Sequence, residues 1–148
     1  MSIQPPQPDP AGSSASTLDG STGTFGVTIA LPWTTPPMSM NDRMHWARKA
    51  KLTKQIRDLT KLLVSVNAVP KSDHITIGLH YRPRDNRRRD VDNLMPVLKA
   101  CADGVVDAGV VSDDTPEFMT KHMPVIHRAV KGEPGEMWLE ITGTEEVS

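Results

Sequence analysis

Arg82-Pro83-Arg84-Asp85-Asn86-Arg87-Arg88-Arg89-Asp90-Val91-Asp92-Asn93 is the stretch on which the reading of this chain turns. Before it, Ile75, Ile77, Leu79 and Tyr81 alternate with His74, Thr76, Gly78 and His80, the period of a half-buried strand. After it, Leu94, Leu98, Cys101 and Val105 form the apolar stripe of a helix over about residues 93–108. Asp92 or Asn93 is placed to cap that helix, Pro96 is tolerated in its first turn, and Gly109 is a natural stop. A strand therefore delivers the chain into an arginine loop, and two aspartates stand where the loop becomes a helix.

Working outward, Phe25, Val27, Ile29 and Leu31 alternate with smaller residues and predict a strand, stopped by Pro32, Pro36 and Pro37. Leu52, Ile56, Leu59 and Leu63 recur at helical spacing and predict a helix over residues 43–66, with Asn41 or Asp42 as its cap. Downstream, Val110-Val111 lead into Asp113-Asp114, and Thr115-Pro116-Glu117 start a short helical turn. Two more strands are expected over 119–128 and 137–142, joined by a Gly/Pro-rich loop, with Pro124 making the first an edge or bulged strand. The order β-α-β-α-β-β predicts an α+β domain, a small mixed β-sheet with helices packed mainly on one face. Residues 1–23, rich in Pro, Ser and Gly, read as a disordered tail, 24–143 as the domain, and 144–148 as an acidic tail.

A chain of 148 residues with a formal net charge of −1 fits one domain and is no general DNA glue. Its charge is nevertheless uneven. Arg43, Arg48, Lys49, Lys51, Lys54, Arg57 and Lys61 crowd one segment and the arginines of 82–89 another, which suits a polyanion on one face or simply two solvated stretches. Cys101 is the single cysteine, which excludes an internal disulfide and a multi-cysteine zinc site; its apolar setting predicts a buried small hydrophobe. No apolar run of membrane length and no signal segment are present, so the expected location is the cytoplasm, with no membrane partner. The five histidines have no zinc-type spacing, and no phosphate-cradling glycine loop provides for a nucleotide cofactor.

The acidic pairs carry the chemistry. Two unit negative charges about 4 Å apart repel by about 4 kcal/mol at an effective dielectric near 20. Carboxylates gathered beside arginines must therefore take up a proton or hold a cation, and with Mg²⁺ or Mn²⁺ they form an oxygen-lined site of the kind that cuts phosphodiesters. Each pair also has a plainer reading. One aspartate of Asp90 and Asp92 can be a helix cap, and Asp114-Thr115-Pro116-Glu117 has the form of a cap with an acidic residue three positions on. Lys99, seven residues after Asp92 and about 10 Å along a helix axis, can reach a phosphate near such a site or pair with Asp103 one turn on.

Arg88-Arg89-Asp90-Val91-Asp92-Asn93, then Lys99, Asp103 and the run Asp107 to Asp114, resembles the RusA family of Holliday-junction resolvases, common in phages and prophages. Leu31-Pro32-Trp33 with Asn41, and Lys121-His122-Met123-Pro124 with Trp138-Leu139-Glu140-Ile141, resemble that family's first strand and closing strands. The resemblance covers about residues 25–143. It implies a homodimeric, Mg²⁺-dependent endonuclease that resolves four-way DNA junctions in recombination and repair. It places metal ligands at Asp90, Asp92 and the Asp113/Asp114 pair, with Asp90, Asp92, Asp114 and Lys99 as catalytic residues. The family lysine follows the asparagine by three residues, whereas Lys99 follows Asn93 by six. Arg84, Arg87, Arg88, Arg89, Asn41, Arg48, Lys49 and Lys51 are the residues expected to hold the DNA. A non-catalytic binder of branched DNA on the same scaffold is the alternative, and an unrelated interaction protein with a structural carboxylate cluster a weaker third.

Overall fold

A computed structural model describes residues 23–40, 43 and 45–145. The elements are β1 (Thr24–Leu31), α1 (Trp46–Val66), β2 (Ser72–Arg82), a 3-10 turn (Val91–Leu94), α2 (Met95–Asp107), β3 (Met119–Lys121), β4 (Val125–Ile126) and β5 (Glu136–Glu145). This is the expected mixed α+β architecture, with two α-helices and a five-stranded mixed sheet among the described residues. β5 lies between β1 and β2 and is antiparallel to both. The far edge of β2 carries β3 and β4, both parallel to it. A parallel neighbour requires a crossover, and the segment through α2 supplies it.

Alternation decides which face of the sheet is buried. Ile29 and Leu31 of β1, Ile75, Ile77, Leu79 and Tyr81 of β2, and Met137, Leu139 and Ile141 of β5 all join the core with Val97, Leu98, Cys101 and Val105 of α2 and Ile56 and Val64 of α1. Thr28, Ala30, Glu140 and Thr142 fall on the other face and are exposed. Cys101 is fully buried, and burial pushes its thiol up to about 12, in keeping with a packing role.

Four sequence expectations change in detail. The strand expected over 119–128 is two short strands, because Pro124 has no N–H to give to β2. The ladder holds on either side of it: His122 N–H donates to Ile77 O at 3.0 Å and His127 N–H to Tyr81 O at 2.8 Å. The last strand is longer than 137–142, and Thr144 and Glu145, read as the start of an acidic tail, belong to β5. Of the tail read over 1–23 only Gly23 is described, accepting from Glu145 N–H at 2.7 Å; residues 1–22 and 146–148 lie outside the described residues. The first helix begins at Trp46, with His45 as its cap through Nδ1, which accepts from Ala47 N–H at 3.2 Å. Asn41 and Asp42, expected to cap it, lie outside the described residues.

The buried centre of α1 is Ile56, Thr60 and Val64, with Leu52, Leu59 and Leu63 only half-buried beside it. The cause is on α2. A Cβ on Gly104 would stand 2.5 Å from Arg57 O and 2.7 Å from Thr60 Cβ, so only glycine permits this approach of the two helices. The Thr60 hydroxyl, fully buried, donates to Ile56 O at 2.8 Å and so leaves no unsatisfied group in the contact.

Candidate acidic site and arginine loop

Two acidic places flank α2, and they are built differently. At its start, Asp90 has extended backbone and caps the 3-10 turn, its Oδ1 accepting Asp92 N–H at 3.0 Å. The sequence pointed to Asp92 or Asn93 as the cap. The extra 3-10 turn ahead of α2 moves the cap back to Asp90, and α2 itself begins at Met95, preceded by Leu94, which gives no side-chain cap. The Asp92 carboxylate is left exposed, with no hydrogen bond or ion pair to any described residue. A cleft of about 850 Å³ opens here, lined by Pro36, Met38, Tyr81, Arg88, Asp90 and Ile126 among others. Asp92 stands outside its lining.

The arginine loop has a centre that the sequence reading missed. Asp85 accepts from Arg87 N–H at 3.1 Å, Arg87 Nε at 3.2 Å and Arg89 Nη2 at 2.9 Å, and Arg84 Nε lies 3.8 Å away. The Arg87 amide and the Arg89 guanidinium hold its carboxyl down at about 2. Arg89 is mostly covered, also donates to Asp85 O and Arg87 O, and lies over the Tyr81 ring at 6.0 Å. It braces the loop. Arg84 and Arg87 are exposed rim cations on Asp85. Arg88 has no partner among the described residues and faces the cleft beside Asp90. A lone acidic residue within an arginine run was the sequence signal for this hub.

Beyond the far end of α2 the chain turns at Gly109, whose φ of +86° suits glycine, and comes back beside the helix. Asp113 Oδ1 accepts Asp114 N–H at 2.8 Å, leaving Asp113 exposed. Asp114 Oδ2 accepts from Lys99 Nζ at 2.7 Å and from Lys121 Nζ at 3.0 Å, and Lys99 also reaches Asp103 at 3.2 Å. The Asp114 side chain is only 17% exposed, and the two ammonium groups hold its carboxyl far below the usual range. Reciprocally, Asp114 and then Asp103 raise Lys99. The ion pair of Lys99 with Asp103 is thus present, and the same ammonium also meets Asp114 of the second acidic pair. Lys121 was not singled out, since only the parallel register Ile77 to Lys121 of β3 on β2 carries it there.

Among the described residues no three carboxylate, histidine or cysteine groups stand close enough to hold a metal ion. Asp114 therefore does not join Asp90 and Asp92 in one ligand set in this arrangement. Of the other expected DNA contacts, the side chains of Arg48, Lys49 and Lys51 are exposed on α1 with no hydrogen bond or ion pair to the described residues, and Asn41 lies outside them. A separate cluster sits on the open face of the sheet. His80 stacks on Trp138 at 5.3 Å and 5°, its Nδ1 lies 2.8 Å from His127 Nε2, and its Nε2 lies 3.3 Å from Glu140. Burial, then His80, pushes His127 down. No helix among the described residues is long and apolar enough to cross a membrane.

No family model matches the chain. It is 28% identical over 120 residues to a protein of Xylella fastidiosa (strain Temecula1) described as an uncharacterized protein, an alignment that spans 78% of this chain and 75% of that one.

Proposed function

We propose that this protein is a Mg²⁺-dependent, structure-selective endodeoxyribonuclease of RusA type, a cytoplasmic homodimer that resolves four-way DNA junctions by paired cuts. One observation carries the reading: Asp90 lines a cleft with the unpartnered Arg88, and two residues on, just outside that lining, the Asp92 carboxylate is exposed and unpartnered. An acidic edge beside an uncommitted cation is what a site for a metal and a phosphate requires.

The donor set fits a hard cation of this kind. Mg²⁺ commonly takes one or two carboxylates and completes its shell with water and substrate phosphate, so Asp90 and Asp92 are a sufficient protein share. Asp114, and Asp113 beside it, are the further ligands of the proposal. When bound, the ion would lower the pKa of a water and neutralise charge on the scissile phosphate. The protein's own groups do the rest. Asp90 holds the turn that presents Asp92. Arg88 grips a phosphate, and Asp85 keeps Arg87 and Arg89 in place around it. Lys99 and Lys121, resting on Asp114, exchange that carboxylate for phosphate oxygens when DNA arrives. Two-fold symmetry would set two such sites on opposed strands.

A second reading has its own observation. With Asp114 clamped by two lysines rather than gathered with Asp90 and Asp92, the scaffold also suits a binder of branched DNA that does not cut. A nicking assay on a synthetic four-way junction, with and without Mg²⁺, separates the two. The nuclease reading expects metal-dependent product from the natural chain and none from Asp92→Asn, with junction binding kept by both. Cutting by Asp92→Asn at the natural rate would refute the mechanism. Binding without product from the natural chain in Mg²⁺ and in Mn²⁺ would establish the binder.

A further inference from the structure

The first two turns of α1 project beyond the core. Every residue from His45 to Lys51 is exposed, and the helix begins to bury side chains fully only at Ile56. At the tip stands Trp46, 76% exposed, the barest of the large apolar side chains among the described residues. The His45 ring, 5.5 Å away and tilted by 32°, braces one side of it. On the other side, Trp46, Lys49, Ala50, Thr53 and Lys54 line a shallow open groove of about 620 Å³, closed at its far end by Arg57 and Asp58, which pair with Asp107 and Lys54. These positions recur at three and four residues, so they form one stripe of the helix. Ala50 and Thr53 are small and leave flat space beside the indole. Lys49 has no ion-pair partner among the described residues, and the first turn of the helix contains no acidic residue; Arg48 and Lys51 lie on the opposite side of the helix, along a separate depression with Ala47, Leu52 and Gln55.

We propose that Trp46 is a stacking platform for an unpaired base at the branch point of the DNA, with Lys49 holding the flanking phosphate. The inference rests on the branched-DNA reading above and deepens it by naming a side chain that distinguishes branched from linear DNA. A flat ring beside the uncommitted Lys49 matches a base attached to its phosphate, and such stacking is tolerant of sequence because every base has a π-face. In a continuous duplex the bases stack on one another and present no such face, whereas a branch point exposes them. A second copy of the chain is the less suited occupant: a two-fold contact through this groove would set Lys49 against its own copy.

The test compares Trp46→Ala and Trp46→Phe with the natural chain for binding to a synthetic four-way junction and to a linear duplex of the same arms, by fluorescence anisotropy at fixed salt without metal. The mass of each protein is followed by sedimentation. The expected result is a loss of about tenfold or more on the junction for Trp46→Ala, little change on the duplex, and partial recovery by Trp46→Phe. Junction DNA should also quench the tryptophan emission of the natural chain more than that of Trp46→Ala. Unchanged junction binding by Trp46→Ala, or an equal loss on both DNAs, overturns the inference while leaving the branched-DNA reading in place. A change in sedimenting mass with DNA binding intact assigns the tip to a second copy and overturns it too. Failure of the natural chain to bind the junction removes the branched-DNA reading itself, and this inference with it.

Discussion

The two ends of α2 carry the same chemistry and leave it in opposite states. Ahead of the helix, Asp92 stands exposed and unpartnered beside a cleft. Behind it, Asp114 is mostly covered and accepts from two lysines on two different elements. An acidic pair beside basic residues can therefore be a waiting ligand or a satisfied clamp, and local sequence does not distinguish them. What distinguishes them is whether tertiary packing delivers a counter-charge. β3 delivers Lys121 to Asp114, and nothing described is delivered to Asp92.

The contrast is most sharply tested at the open end. Asp90→Asn keeps a capping side chain, since asparagine caps as well as aspartate, so the fold should stand. Under the nuclease reading junction cutting should fall by two to three orders of magnitude, the scale of deleting one charge-stabilising group at a reacting centre, while gel-shift binding survives. Cutting within a factor of two of the natural chain would place Asp90 among the caps alone.

Next in size is the contact that sets α2 on α1. Gly104→Ala adds a methyl group where backbone and the buried Thr60 already stand. It should destabilise the domain by about 1–3 kcal/mol, the usual range for overpacking, seen as a lower midpoint in urea. An unchanged midpoint would show that the helices separate easily, and the placing of both acidic ends by α2 would lose its basis.

At the clamped end, Asp114→Asn removes partly covered ion pairs and should cost about 1 kcal/mol or less. Its value lies in pairing two readouts. Loss of cutting far beyond so small a destabilisation would make Asp114 part of the reaction, as the RusA resemblance implies. A lower melting temperature with cutting intact would leave it a clamp.

The smallest effect is the pH dependence of that clamp. The folded carboxyl of Asp114 lies below its ordinary value of 3.8, so its contribution is present above that value and fades as pH falls through the folded one. Lys99 is raised above its ordinary 10.5, so its share is complete below that value and fades as pH rises through the folded one. The stability gap between the natural chain and Asp114→Asn should therefore be widest between those limits and close at both ends of a denaturation series. A gap that stays constant from pH 3 to pH 7 would show that the carboxylate contributes through packing instead of charge.

Much of the fold was legible because its signals are local. The alternation Ile75, Ile77, Leu79, Tyr81 became the buried face of β2, and Gly109 ended the second helical region as its lack of a Cβ allows. Less was legible where two elements meet. Thr60, outside the apolar stripe expected for its helix, is fully buried, because Gly104 on another helix lets the backbone approach it. In the site, the place of Asp90 and Asp92 at a strand-to-helix junction could be read directly, but which of them caps could not, since a 3-10 turn added before the helix moved the cap by two residues. Asp85 as the hub of the arginine loop was also missed: a single carboxylate collects its partners only once the loop is folded around it.

By itself the sequence determined the periods of strand and helix, the turn residues between them, and the presence of carboxylates at both ends of the second helical region, because these depend on neighbours within a few residues. Tertiary structure alone decided which carboxylate is neutralised and which is left open. That outcome depends on the register of β3 on β2 and on how closely α2 lies against α1, and contacts between residues far apart along the chain are set by the packing of the whole domain.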